Sequence, residues 1–237
     1  LKSLGFFDGP GLSSTQRTQI ATLARETKVL QNLIVMNWGD ELAADSFTRC
    51  SLVEVIIHKA SRINVNCFHS CSSLKAISFP ATVTICSNAF DTCSALTKIF
   101  FPEAETFNDG VFVNARLTAI SLPKAKIIGY GTFIGCPLTT VDLPNVTNIG
   151  TLSAEYGTFR DCRSLTTVYI PKAKIIGNMT FQRCSRLTTI SPLPALTNIG
   201  GYAFDGCSAL KVIQYPATGV SLDTNAFINC NVTRLDP

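Results

Sequence analysis

A phrase of fixed spacing, Phe-x-x-Cys followed by Leu, then by Ile or Val, and then by Pro, returns along almost the entire chain. Most copies are 21 to 23 residues apart and one interval is 26. Self-similarity at this period indicates a repeat architecture, in which no copy buries its apolar face alone and neighbouring copies stack into a continuous core. The copies begin at Phe47, Phe68, Phe90, Phe112, Phe133, Phe159, Phe181, Phe204 and Phe227.

Each copy contains a short strand. In Leu74, Ile77 and Phe79 the end of the apolar pattern alternates with period two, which turns one side of the strand inward. Pro80 follows, and because proline cannot donate to a strand ladder it ends the strand and turns the chain away. The Phe-x-x-Cys segment then predicts a short helical turn, with Phe and Cys facing the axis.

A second extended stretch follows the proline of each copy. In 124–127, 145–149 and 172–175 apolar and polar residues alternate again. Glycines end these stretches at one phase, and we expect them to need a positive φ. They are Gly129, Gly150, Gly177 and Gly200.

The expected fold is a right-handed α/β solenoid that is rich in β-structure, with one parallel strand per coil, a parallel sheet on one surface and short helical turns. The motif Leu165-x-x-Val168-x-Ile170-Pro171, with its Ile-Gly and Phe-x-x-Cys phases, resembles the BspA-like leucine-rich repeat family over residues 47–237. This resemblance implies a surface or secreted binding protein, located outside the cell or at its surface.

The two ends of the chain depart from the repeat. Residues 1–46 are predicted to be an N-terminal cap, with a capping box at Ser13 and Gln16, a helix near 14–28 and one atypical coil after it. Residues 47–237 are predicted to form about nine repeats in one continuous domain, the last copy being incomplete. Either the natural chain continues there or another molecule covers that end.

The ten cysteines invite a disulfide or metal interpretation. Ala115 takes the ninth position of their repeat phase, which indicates that size rather than sulfur is required. Stacked copies would also hold the Cβ vectors parallel, which is poor disulfide geometry. We predict buried, unpaired thiols, with a disulfide ladder as the alternative, and leave Cys67 and Cys86 open because they lie off this phase. The residues of the phase are Cys50, Cys71, Cys93, Cys136, Cys162, Cys184, Cys207 and Cys230.

Catalytic and metal chemistry find little support in the sequence. Cys67-x-His69-x-Cys71 lacks a second ligand pair, and Cys71 is needed inside the coil, so no metal and no cofactor are predicted. His58 and His69 are the two histidines, and no nucleophile or phosphate-binding motif accompanies them. Converging carboxylates are the alternative left open, with Glu103, Glu105 and Asp142 as candidates. The chain is therefore predicted not to be an enzyme.

Charge and hydropathy exclude further classes of function. A net charge of +4 is mild for a protein that binds nucleic acid. Four lysines recur at equal repeat positions but lack interleaved aromatic residues, so nucleic acid is not expected as a partner; they are Lys124, Lys126, Lys172 and Lys174. No apolar run reaches the ~20 residues of a membrane span.

The candidate binding residues lie in two rows that point outward from the strands. Small hydroxyl and Ala side chains dominate these rows, and exposed aromatic residues among them are typical of a contact with a protein or a glycan. We predict a non-catalytic recognition or adhesion module; the alternative is a structural spacer that stacks end to end with further repeats or other chains. The candidate ligand-binding residues are Glu54, Lys98, Phe100, Asp142, Tyr169 and Gln214.

Overall fold

The computed structural model describes residues 2–6 and 11–236. The chain winds into a solenoid with two walls of parallel strands joined by turns. This confirms the predicted repeat solenoid. The second extended stretch also forms a ladder, so a coil contributes two parallel strands rather than one.

The front wall consists of the longer strands, which carry the Leu-x-x-Ile pattern. It is divided into sheets of five, four and two strands. Strand pairing is interrupted after Lys98–Phe100 and again after Thr189–Ile190. The front strands are Ser3–Phe6, Asn32–Val35, Glu54–Ile57, Ala76–Ser78, Lys98–Phe100, Ala119–Ser121, Thr140–Asp142, Thr167–Tyr169, Thr189–Ile190, Val212–Gln214 and Thr233–Leu235.

The rear wall is one parallel sheet of nine two-residue strands. Its register follows the repeat, since Ile128 pairs with Ile149 and Ile149 with Ile176. The rear strands are Glu41–Leu42, Arg62–Ile63, Thr84–Ile85, Thr106–Phe107, Ile127–Ile128, Asn148–Ile149, Ile175–Ile176, Asn198–Ile199 and Ser221–Leu222.

An α-helix spans Ser14–Glu26 beside the first coils. Ser13 accepts a hydrogen bond from the Gln16 backbone N–H, and the Gln16 side chain accepts one from the Ser13 backbone. This capping box satisfies two of the N–H groups that a helix start leaves without partners. Ala24 is fully buried against the core, so the helix packs over the stack.

The core is a column of aromatic rings between the two walls. Consecutive repeat phenylalanines, from Phe47 to Phe227, stack with ring centroids 4.9 to 5.5 Å apart. Trp38 extends the column at its N-terminal end, 5.5 Å from the ring of Phe47. Each phenylalanine is buried by the ring of the next coil. The apolar core therefore forms only when neighbouring coils are folded together.

The Phe-x-x-Cys segments are turns rather than helical turns. The Cys71 N–H donates to the Phe68 carbonyl at 3.2 Å, and Ser70 between them has a φ of 59°. A left-handed residue at the third position is typical of a type II turn. The Phe68 N–H then donates to Ala89 in the next coil at 2.7 Å, so the turn is also tied along the solenoid.

The glycines that end the second stretches do not share one backbone conformation. Gly150 has a φ of 69°, but Gly129, Gly177 and Gly200 lie outside the positive-φ region, so the expectation was wrong for these three. Their reason is close packing: a Cβ on Gly177 would lie 2.5 Å from the Thr151 backbone nitrogen. Adjacent coils approach too closely there for a side chain.

Within the described residues, no helix is both long and apolar enough to cross a membrane.

Candidate functional site

The outward side chains of the front wall form the candidate binding surface, called the front surface below. Asp142 and Tyr169 are direct partners in the register of neighbouring strands. The Ser121 hydroxyl lies on the other side of Asp142 and donates to its carboxylate at 2.9 Å. Tyr169 is 48% exposed, so its ring is available to a ligand beside this held carboxylate.

Phe100 belongs to a different sheet from Tyr169. It pairs with Ser78 and is 54% exposed, the largest exposure among the large apolar side chains described. No strand pairing joins its strand to Ala119–Ser121 within the described residues. Ile99 beside it is only partly buried, whereas its equivalents Ile77 and Ile120 are buried.

The remaining candidates do not converge on one point. Glu54 and Lys98 are both exposed, but the strand that carries Ala76 separates them. Gln214 is partly exposed on the third sheet, where it pairs with Leu235. The structure therefore brings together Asp142 and Tyr169, and leaves Phe100, Glu54, Lys98 and Gln214 at separate places on the front wall.

The outward row of the front wall is interrupted at Ser191, at the position where period-two alternation alone predicts an outward side chain. Ser191 is buried, and its hydroxyl accepts a hydrogen bond from the Ile170 backbone N–H at 2.9 Å. Two prolines flank Leu193, whose side chain is fully buried. The strand of this copy ends at Ile190. The alternation that points every second strand residue outward therefore does not extend to Ser191.

A row of threonines at the start of the front strands was missed by the sequence analysis. Thr139, Thr166 and Thr188 each donate from the hydroxyl to a backbone carbonyl one coil earlier, at 2.9 to 3.1 Å. Their signal in the sequence is the phrase Leu-Thr-Thr, which recurs in three consecutive copies. These bonds hold the threonine side chains in place at the start of the strands that carry Asp142 and Tyr169.

All ten cysteines lie in the described residues and are free. The cysteines of the repeat phase are stacked and nearly all buried, and burial raises the pKa of Cys136 to about 12. Thiols of this kind stay protonated, so they are unsuited to nucleophilic chemistry at neutral pH. No group of three or more metal-ligating side chains occurs among residues 2–6 and 11–236.

The charged residues considered for other roles are paired with one another. Lys124 and Glu103 lie 2.6 Å apart, and Lys126 and Glu105 lie 2.8 Å apart, each pair joining adjacent coils. Glu103 and Glu105 therefore each have a lysine partner one coil later. These pairs are exposed and contribute little to stability, and they neutralise half of the lysine group.

Comparison with known proteins agrees with this architecture. A family model described as "BspA type Leucine rich repeat region" matches residues 25–116 and 105–233 as six copies. No curated protein matches this chain.

Solved structures show the same fold. The crystal structure of a T. pallidum leucine-rich repeat protein is 26% identical, with a TM-score of 0.60 over 67% of this chain and 78% of that chain. A leucine-rich repeat protein from Eubacterium ventriosum ATCC 27560 is 14% identical, with a TM-score of 0.55 over 99% of this chain and 92% of that chain. Since the family model covers far more than half of the sequence, the chain belongs to the BspA-type leucine-rich repeat family.

Proposed function

We propose that this protein is a non-catalytic recognition module that acts at the cell surface or outside the cell and binds a protein or glycan through its front surface. Leucine-rich repeat proteins are typically protein-interaction modules, and solenoids present extended surfaces on which the residues that vary between copies select the partner. Membership of the leucine-rich repeat family supports the general role as an interaction module. The exposed side chains of the front surface support the proposed position of the site.

The observation that carries the proposal is the pair Asp142 and Tyr169. Tyr169 offers a large ring with a polar tip, a side chain that is enriched at binding hot spots. Asp142 lies beside it and is already oriented by the Ser121 hydroxyl. A ligand would therefore meet an aromatic anchor and a hydrogen-bond acceptor that is already oriented, and less side-chain entropy would be lost at Asp142 on binding.

Phe100 is proposed as a second contact across the interruption of the front wall. A half-exposed phenylalanine has no polar tip to satisfy, so it gains most from apolar contact with a partner. A glycan contact would engage Tyr169 and Asp142, whereas a protein partner is large enough to reach Phe100 as well. Glu54, Lys98 and Gln214 are proposed as peripheral contacts that tune the choice of partner.

We also propose that residues 1–46 cap the repeat array and that 47–237 form one continuous domain. The helix supports this division, because Ile20, Ala21 and Ala24 are buried on its inner face. The Ser51 N–H donates to the Ala24 carbonyl at 3.4 Å, which ties the helix to the repeat region.

A structural role is the second candidate. Leu222 and Leu235 in the last coil are exposed, whereas Ile199, the partner of Leu222 in the rear wall, is buried. Stacking of a second molecule on this coil would cover them. Light scattering tests this candidate: we expect concentration-dependent assembly if it holds, and an elongated monomer at all concentrations would contradict it.

The recognition proposal is tested by binding the purified chain to a panel of matrix proteins and glycans. We expect saturable binding that weakens at least tenfold in the double variant Asp142→Ala, Tyr169→Ala. Tyr202→Ala is the matched control, because Tyr202 is an exposed tyrosine on a corner turn. Binding that survives the double variant would remove the site from this part of the front wall, and Phe100→Ala separately measures the second contact.

A further inference from the structure

A cavity of about 230 Å³, the corner cavity, lies at the corner turns of four consecutive copies, away from the front surface. It is bounded by residues that precede or follow the repeat phenylalanines, and the role proposed above uses none of them. The residues that matter to its chemistry are Asn88, Asp109, Tyr130, Gly131, Ile134 and Tyr156.

The corner cavity exists because two adjacent copies lack a side chain that other copies carry. The position two residues before the repeat phenylalanine is left-handed in most copies, and Asn66, Asn88 and Tyr202 occupy it with φ of 54 to 57°. Gly110 and Gly131 occupy the same position with φ of 65°. These two neighbouring glycines form a floor without side chains of its own, and the Asn88 Oδ1 occupies the place where a Gly110 Cβ would stand.

Two tyrosines form a wall of the corner cavity, and the long interval of the repeat supplies one of them. Tyr130 is 38% exposed and Tyr156 is 49% exposed, each three residues before its repeat phenylalanine. Tyr156 ends the extra segment that lengthens this copy to 26 residues. The Arg160 guanidinium carbon lies 5.8 Å from the centre of the Tyr156 ring, and this contact restrains the ring.

Polar groups in the corner cavity have unused hydrogen-bonding capacity. Asp109 accepts the Tyr130 N–H through Oδ1 at 3.1 Å, which leaves Oδ2 for another donor. Burial raises the pKa of Asp109, as expected for a carboxyl group without a cationic partner. No Lys, Arg or His is among the described lining residues, so an anionic ligand is disfavoured.

A backbone donor is also released at this place. The equivalent N–H groups of Asn88 and Gly110 each donate to a carbonyl of the next coil at 3.0 Å. The Gly131 N–H makes no such bond to any described residue, because the inserted segment moves the next corner out of phase. A buried backbone N–H without a partner is uncommon and costs free energy until something accepts from it.

We infer that the corner cavity binds one neutral hexopyranose ring of a glycan. Such a ring has an apolar C–H face, which packs on the negative faces of tyrosine rings, and an edge of hydroxyls that both donate and accept. The Asp109 carboxylate accepts from one hydroxyl, and the Gly131 N–H and the Asn88 amide donate to others. Ile134 contacts the apolar face of the sugar. A mostly apolar lining with a few placed polar groups is usual for a small-molecule site.

This site is separate from the front surface, so its test uses different variants. The probes are methyl hexopyranosides of glucose, galactose, mannose and N-acetylglucosamine, with butylammonium as a cationic probe. Binding to the full chain is followed by saturation-transfer NMR. We expect at least one methyl hexopyranoside to bind with saturation and butylammonium not to bind.

Two variants are designed to remove the site while keeping the fold. Gly131→Asn places on the floor the residue that Asn66 and Asn88 already hold at this backbone conformation, and it should weaken binding at least tenfold. Tyr156→Ala removes the wall and should have a similar effect. Tyr202→Ala should leave the affinity unchanged, Tyr169→Ala reports separately on the front surface, and circular dichroism verifies that every variant is folded.

Four results would overturn the inference. The first is that no methyl hexopyranoside binds, and the second is that butylammonium binds in their place. The third is that binding is unchanged by Gly131→Asn in a folded variant. The fourth is loss of binding in Tyr169→Ala rather than in Tyr156→Ala, which would assign the sugar to the front surface and support the proposed function instead.

Discussion

The thiol of Cys162 donates a hydrogen bond to the backbone carbonyl of Phe133, one coil earlier, with the sulfur 3.1 Å from the oxygen. The same contact joins Cys93 to Phe68 at 3.1 Å and Cys184 to Phe159 at 3.2 Å. The cysteine side chain at these positions therefore contributes more than its size. Each of these three thiols fills a small gap and also ties two coils together through a weak hydrogen bond.

Among the described residues, Ala115 is the one position of the cysteine phase that carries no thiol, and it provides a test. Ala115→Cys should place a thiol near the Phe90 carbonyl and raise the free energy of unfolding by about 0.5 kcal/mol. Cys162→Ala should lower it by about 1 to 2 kcal/mol, since it removes a bond and leaves a small cavity. Urea unfolding measures both. A clear loss of stability in Ala115→Cys would mean that the coils have closed around the alanine.

Stability should fall as the pH rises above 9. The folded protein raises the pKa of Cys136 from 9.0 to about 12, because the buried thiolate would be poorly solvated. Between these values the unfolded chain has lost the proton and the folded chain keeps it, so unfolding is favoured by about 1.4 kcal/mol per pH unit for this thiol.

The variant Cys136→Ala isolates this contribution from that of other titrating groups. Its unfolding free energy should decline less steeply than that of the natural chain, by roughly 2 to 3 kcal/mol in total between pH 9 and 11. Urea titrations at pH 8, 9, 10 and 11 provide the comparison. Parallel declines in the two proteins would contradict the raised pKa.

A thiol count should find ten free cysteines after denaturation without reductant. In the native protein Cys230 should react first, because it is only partly buried while the other nine are buried. Cys50 and Cys71 are the pair best placed to form a disulfide, since their sulfurs lie 2.8 Å apart. A count of eight would assign a disulfide to that pair, and a count near zero would favour the alternative of a disulfide ladder over free thiols.

Gly177→Ala should destabilise the protein strongly. The new Cβ would lie 2.5 Å from the Thr151 nitrogen and 2.6 Å from its oxygen, and both are backbone atoms that cannot move alone. We expect a loss of about 3 kcal/mol in the free energy of unfolding. Gly201→Ala is the matched control, because its Cβ would meet only the Asp223 side chain at 3.4 Å. Equal losses in the two variants would exclude close packing as the reason for Gly177.

The repeat in the sequence was sufficient to predict the solenoid, the front strands and the columns of Phe and Cys. Because every coil repeats the same packing, equivalent residues such as Phe133, Phe159 and Phe181 have the same environment. Each repeat therefore independently predicts the same buried position. The outward exposure of Phe100 and Tyr169 followed from the period-two alternation alone.

The sequence by itself therefore determined the period of the coils, the front strands and the phases that face the core. The tertiary structure decided what happens between coils: the interruption of the front wall beside Phe100, the inward turn of Ser191, and the close approach that requires Gly177. It also placed Tyr130 and Tyr156 over the floor at Gly131. These features depend on the distance and register between segments more than twenty residues apart, and a pattern read along a single coil carries no information about that distance.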